Sequence, residues 1–170
     1  MLETRRLFLR PINHADADAI YSMRSDPDVM RFIREPQKRS ETESWIRLIS
    51  SRWEKENLGF CAIIEKQSGV FLGWCGIWIL PETGEIELGY AIAKQFWNQG
   101  FATEAASVFL RYAFEVLNAE RVIAVTEPDN LASRRVMEKL GMRFAEFGVF
   151  YNRRMTRYQL SRQNFIAQTM

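Results

Sequence analysis

Residues 94–110, KQFWNQGFATEAASVFL, decide how this chain is read. The second half is a helical run that buries alanines and aromatics, yet it opens on small residues and carries no acid before Glu104. A helix start presents unpaired N–H groups and the positive end of the macrodipole, so it attracts anions, phosphates above all. Gly100 and Ala102 let such a ligand approach the backbone, and Thr103 offers a hydroxyl. With a strand expected over 85–92, a loop over 93–99 and a helix from Thr103, Gly100 falls at a strand-to-helix crossing where a pyrophosphate can rest. A turn-forming glycine before a capping threonine has the same local appearance, so the neighbouring segments have to decide.

Outward from this stretch the chain alternates strands and helices. Leu2, Leu7 and Leu9 mark a first strand that Pro11 ends, and Asn13 and Asp16 can cap a helix reaching about Met23. A turn opens at Asp26-Pro27. Ser40-Glu41-Thr42-Glu43 has capping-box spacing ahead of Trp45, Ile46, Ile49 and Trp53, which predicts a helix over 40–56. Strands over 60–65, 71–80 and 85–92 are joined by turn residues at Ser68-Gly69 and at Pro81-Glu82-Thr83-Gly84, the pattern of an antiparallel meander. A helix over 103–118, a strand over 121–126, a helix over 130–140 and strands near 143–150 and 155–161 complete a mixed α/β layer structure with no repeat or linker.

Bulk properties narrow the function classes. A chain of 170 residues with five tryptophans and twelve phenylalanines can bury a real core, and one domain over 1–170 is expected. Lys and Arg number 23 against 21 Asp and Glu, and the cations are dispersed, so direct nucleic-acid binding is not expected. The apolar run over 70–80 is too short to span a bilayer, and MLETRR has no apolar secretion core. A cytoplasmic protein without a membrane partner is expected. Cys61 and Cys75 fall in adjacent strands without C-x-x-C spacing and are read as buried thiols. His14 has no second ligand beside it and is read as a surface residue, so no metal is expected.

Three segments then carry a resemblance. Phe96-Trp97-Asn98-Gln99-Gly100-Phe101-Ala102-Thr103-Glu104-Ala105 is similar to the acetyl-CoA pyrophosphate loop of GNAT-superfamily N-acetyltransferases, written R/Q-x-x-G-x-G/A, and reads W-x-x-G-x-A here. The run from Asn130 to Met142, NLASRRVMEKLGM, resembles the N-x-x-S…EKLG-F/M segment of the branch that acetylates ribosomal-protein N-termini. Glu3-Thr4-Arg5-Arg6-Leu7-Phe8-Leu9-Arg10-Pro11 resembles the first strand of that branch, so the likeness covers nearly the whole chain. It implies an α/β (α+β) fold with a mostly antiparallel sheet of about seven strands flanked by about four helices, and acetyl-CoA as cosubstrate. Trp97 departs from the usual Arg or Gln, at little cost where the phosphate contacts come from main-chain N–H groups of Gln99, Gly100, Phe101, Ala102 and Thr103. Met137 stands where many members carry a tyrosine thought to protonate the leaving thiolate.

The expected chemistry is direct attack of an amine on the thioester. A thiol of pKa about 8.5 leaves as a tolerable thiolate that needs only a hydrogen bond, which Ser133 can give from the N-terminal turn of its helix. Glu85 and Glu87 lie on one strand face, and either carboxylate can take the amine proton directly or through water. Glu87 is the first choice and Glu85 the fallback. The resemblance further implies that the backbone of Tyr90, Ala91 and Ile92 follows the pantetheine, that an N–H there polarises the carbonyl, and that Asn130 caps its helix and meets the pantetheine arm. Arg134 and Arg135 follow the helix start, and one of them, Arg135 being the choice, is expected to meet the adenosine phosphates. Trp45, Trp53, Phe32 and Ile33 are expected to be core that also walls the acceptor side, whereas Arg153, Arg154 and Arg157 are read as a solvated turn. Three outcomes stay open: acetylation of a protein or peptide N-terminal amine, acetylation of a small-molecule amine such as an amino acid, polyamine or antibiotic, and a non-catalytic acyl-CoA-binding module. A monomer and a homodimer are both compatible with the sequence.

Overall fold

A computed structural model of the chain describes residues 2–169. The strands are β1 (Leu2–Glu3), β2 (Leu7–Pro11), β3 (Gly59–Glu65), β4 (Phe71–Ile79), β5 (Ile86–Ile92), β6 (Arg121–Thr126), β7 (Arg143–Phe150) and β8 (Arg153–Ser161). The helices are α1 (Ala17–Arg24), α2 (Pro27–Met30), α3 (Arg39–Glu56), α4 (Phe101–Arg111), α5 (Leu131–Lys139) and α6 (Arg162–Thr169). The expected mostly antiparallel α/β sheet is present, with eight strands instead of seven and six helices instead of four.

The sheet order is β1-β2-β3-β4-β5-β6-β8-β7. Every neighbouring pair is antiparallel except β5 and β6, whose connection through α4 returns the chain to the same end of the sheet and so makes them parallel. Along β5 and β6 the pairing is confined to Glu87↔Ile123, so the strands diverge beyond Glu87 and the sheet splits there. Alternation along β5 aims Leu88 and Ile92 at one face and Ala91 at the other. On the first face α4 and α5 bury Phe101, Ala105, Ala106, Phe109 and Met137 against the strands; on the second, α1 to α3 bury Ile20, Met30, Ile46 and Ile49. A fully buried Phe or Ile contributes about 1.5–3 kcal/mol relative to exposure, so these two layers hold the split open from both sides.

Two boundaries differ from expectation with clear causes. Helix α4 starts at Phe101, two residues before Thr103, because Gly100 takes the N-cap position with φ +80° and frees the chain to turn earlier. Thr103 is therefore in the first turn and is not the cap. The helix also loosens into a π turn over Tyr112–Val116 before β6, so the single helix expected over 103–118 is two pieces. Cys61 and Cys75 face each other directly across β3 and β4 as free, buried thiols, and burial pushes the Cys61 thiol up to about 12. Among the described residues no helix is long and apolar enough to cross a membrane, and no group of His, Cys, Asp and Glu is arranged to hold a metal.

Candidate functional site

A cavity of about 460 Å³ lies along β5 beside the split, between the start of α4 and α5, within the usual range for small-molecule sites. Its walls include Tyr90, Ala91 and Ile92 of β5, Gly100, Phe101, Ala102 and Thr103 at the start of α4, and Asn130, Ser133 and Arg135 of α5. Of the residues expected to act on the thioester or hold acetyl-CoA, Gln99, Glu87 and the fallback Glu85 lie off this wall, as do Trp45 and Trp53. Phe32 and Ile33 reach it from the segment after α2.

The α4 end of the cavity is built for an anion. The first intrahelical hydrogen bond runs from Glu104 N to Gly100 O at 3.0 Å, so the N–H groups of Phe101, Ala102 and Thr103 precede any helix acceptor. Glu104 does not oppose an incoming phosphate: Arg6 Nε holds its Oε2 at 2.6 Å, and Arg6 also donates to the Gln99 carbonyl at 3.1 Å. The bend between β1 and β2 thus braces the loop, a link that spans nearly a hundred residues and leaves no local sequence signal. Trp97 is a second brace. Its indole N–H donates to the Ile92 carbonyl at 2.6 Å, which explains a tryptophan where the family motif has Arg or Gln. Lys139 joins Arg135 on the wall and adds positive charge.

At the α5 end, Asn130 caps the helix by accepting from Ser133 N at 3.2 Å and donates to the Thr126 hydroxyl at 2.9 Å. The Tyr90 hydroxyl donates to the Ser133 carbonyl at 3.1 Å and stands 3.0 Å from Ser133 Oγ. Burial holds the Tyr90 phenol well above its usual pKa, so it stays protonated as a hydrogen-bond donor. Met137, one turn along from Ser133, is 2% exposed in the core and is not on the wall. The hydroxyl nearest Ser133 on this wall is that of Tyr90, on β5. Arg134 turns inward to the Tyr158 hydroxyl and the Pro128 carbonyl, at 3.1 Å each, which leaves Arg135 as the one on the wall.

Glu87 sits where the split begins, on the face opposite Tyr90, opposite Trp78 in the β4–β5 register. It is 8% exposed, and burial raises its carboxyl to about 7. A hydrogen bond from the Tyr151 phenol works against that rise and the nearby Glu82 adds to it. Two residues along, Gly89 lets the Phe60 ring lie against the strand, since a Cβ there would come within 2.9 Å of it. Phe60 stacks on Trp78 and contacts Trp45, which makes an aromatic wall on this side. Trp53 is not part of it; it packs against Phe109 and Tyr112 on the other face.

Glu85, the fallback base, is held by Arg157 through two bonds of 2.7 and 2.8 Å, with Arg121 at 3.6 Å. A carboxylate so paired is a structural anion. The solvated turn expected of the last arginines holds for Arg154, which is exposed, and is corrected for the other two: Arg157 is half-buried between Glu85 and Glu146, and Arg153 donates to the Ile33 carbonyl at 3.0 Å and pairs with Glu127. The last hairpin folds onto the site, which its own sequence did not announce.

Residues 6–143 match the family described as Acetyltransferase (GNAT) domain, and with the split sheet and bare helix start they define an acetyl-CoA-dependent acyltransferase. The chain belongs to the GNAT acetyltransferase family, whose members use acetyl-CoA as cosubstrate. It is 30% identical over 142 residues to the N-acetyltransferase YnaD of Bacillus subtilis (strain 168), covering 84% of this chain and 82% of that one. It is 29% identical over 191 residues to the FsC-acetyl coenzyme A-N(2)-transacetylase of Aspergillus fumigatus, covering 97% and 77%. An acetyltransferase from Agrobacterium tumefaciens str. C58 superposes with a TM-score of 0.83 at 26% identity, over 94% of this chain and 92% of that one. Membership of this family favours an enzyme over a non-catalytic acyl-CoA-binding module.

Proposed function

We propose that this chain, as one acetyltransferase domain acting in the reducing cytoplasm, moves an acetyl group from acetyl-CoA to the α-amine of a protein or peptide N-terminus, with Glu87 as the base. The observation that carries the proposal is the place of Glu87, a buried carboxyl with no cation paired to it among the described residues, where β5 and β6 part and beside Phe60 and Trp78; burial there pushes it up to about 7. An α-amine of pKa about 8 is roughly one-tenth neutral at pH 7 and lies close enough to Glu87 for proton transfer at little cost. A lysine amine of about 10.4 is neutral only about once in several thousand and would ask far more of the same base.

The residues divide the work by position. The α4 N–H groups and Gly100 receive the pyrophosphate, Arg135 and Lys139 face the adenosine phosphates, and Asn130 meets the pantetheine arm. A backbone N–H of Tyr90, Ala91 or Ile92 polarises the thioester carbonyl. The amine nitrogen forms the new C–N bond, Glu87 takes its proton, the C–S bond breaks, and the Tyr90–Ser133 hydroxyl pair stabilises the departing thiolate. Thioester chemistry arrives with acetyl-CoA, and no covalent enzyme intermediate is needed.

The resemblance of the 130–142 segment to ribosomal N-terminal acetyltransferases supports the peptide acceptor. A small-molecule amine is the second choice, favoured by the name of the Aspergillus relative. The two separate in one assay. Free thiol is followed with acetyl-CoA and a panel of peptides with free N-termini, amino acids, polyamines and aminoglycosides. The proposal predicts that peptides with free α-amines exceed polyamines by at least about tenfold in kcat/KM, a difference of about 1.4 kcal/mol. Turnover confined to the small amines overturns the peptide acceptor.

A further inference from the structure

The Tyr151 hydroxyl, 64 residues from Glu87 in sequence, donates to Glu87 Oε2. It gets there by an unusual route. Phe150 pairs with Arg153, so Tyr151 and Asn152 form a two-residue hairpin turn, and both take left-handed φ values, +53° and +58°. Asparagine suits this conformation, whereas a tyrosine in it costs on the order of 1 kcal/mol. The turn is fastened on three sides: Tyr151 N donates to Glu82 Oε1 at 2.5 Å, Arg153 donates to the Ile33 carbonyl, and Arg153 pairs with Glu127. Strain kept at one residue and over-determined by its surroundings points to a role for that residue.

The consequence at Glu87 is asymmetric. Oε2 is occupied by the phenol, and Oε1 accepts no hydrogen bond from the described residues. The charged and titratable groups around the pair are Glu82 from the β4–β5 turn, Tyr151 itself, and Arg34, which acts on the Tyr151 phenol; Arg52 of α3 stacks on the adjoining Trp78 at 4.3 Å, and β6 contributes Ile123. No cation pairs with Glu87 among the described residues.

We infer that Tyr151 is a positioning residue for acetyl transfer, gripping one oxygen of Glu87 so that the other stays free for the incoming amine. The inference rests on Glu87 being the base. The phenol remains protonated, since burial and the neighbouring carboxylate raise its pKa, and it donates without taking part in proton transfer. Because its bond favours the ionised carboxylate, it also keeps Glu87 more acidic than burial alone would.

The test is a direct titration of Glu87 in the full chain, by carbon NMR of carboxyl-labelled glutamate, with the signal assigned by its loss in Glu87→Gln. The wild-type midpoint is expected near 7. Tyr151→Phe should move it upward by roughly one pH unit, cut kcat at pH 7 about fivefold, and leave acetyl-CoA affinity unchanged, with activity recovering at higher pH. If Tyr151→Phe fails to fold, Tyr151→Asn suits the turn and removes the same phenol. An unmoved midpoint overturns the inference while leaving the base assignment standing. A midpoint that moves while the acid limb of kcat, measured on the best amine of the panel, stays in place overturns the base assignment instead, and the inference with it.

Discussion

Glu87 and Asp16 are both acids buried to within a few per cent of completely, yet they are opposites. Asp16 is gripped by two nitrogens of Arg10, at 2.6 and 2.8 Å, while Glu87 has a phenol and no cation. Burying a carboxylate without a counter-charge favours its neutral form, and that sets a stability cost with a definite pH dependence. Glu87 rises from 4.5 to about 7 on folding, so its contribution is fully present below pH 4.5 and is lost as the pH climbs through 7. At about 1.36 kcal/mol per pH unit, Glu87→Gln should gain on the order of 3 kcal/mol relative to wild type between pH 4.5 and pH 8, read by denaturant unfolding at both values. A pH-independent difference would show that the Glu87 carboxyl titrates at the same pH in the folded and unfolded protein, so that folding does not raise its pKa. On the other face of β5, replacing Ser133 by Ala or Tyr90 by Phe removes one of two hydroxyls, and each should lower kcat about tenfold with little change in acetyl-CoA affinity. The places of Glu87 and Ser133 could be read from the sequence, the first from strand alternation that also put forward Glu85, the second from the N-x-x-S segment. That of Tyr151 could not, since nothing near it in sequence records a partner 64 positions away, and Tyr90 was singled out for its backbone rather than its hydroxyl.

Among the elements, the start of α4 is where the proposed pyrophosphate seat lies. Gly100 has φ +80°, and a Cβ there would lie 3.5 Å from the Arg6 guanidinium, so a larger residue meets both strain and the brace. Gly100→Val should cost about 1–2 kcal/mol of stability and weaken acetyl-CoA binding at least tenfold by isothermal titration, with dephospho-coenzyme A affected in parallel because the pyrophosphate is common to both. Unchanged binding would remove the helix start as the phosphate seat. The small residues of residues 100–103 announced this element in the sequence, as the hydrophobic spacing announced α3 and the turn residues announced the β3–β5 meander. Helix α6 went unannounced. Its apolar residues do not repeat with a helical period, and its place depends on Phe165 stacking on Phe114 with ring centroids 4.7 Å apart, a contact from outside the element.

At the scale of the molecule, one parallel pair in an otherwise antiparallel sheet creates the site. The crossover through α4 brings β6 beside β5, the two part after Glu87, and in the proposed mechanism acetyl-CoA and the amine meet there from opposite sides. The alternation of elements foretold a mixed sheet, but not that β8 would pair between β6 and β7 and bring the last hairpin onto Glu87, because strand order is decided by packing and not by local pattern. The measurement that bears most directly on the account is thiol release from acetyl-CoA at pH 7 with the most active amine of the panel, comparing wild type with Glu87→Gln while acetyl-CoA affinity is tracked in both. The account predicts that kcat falls about a hundredfold or more and affinity stays within about twofold. Wild-type turnover in Glu87→Gln would contradict it.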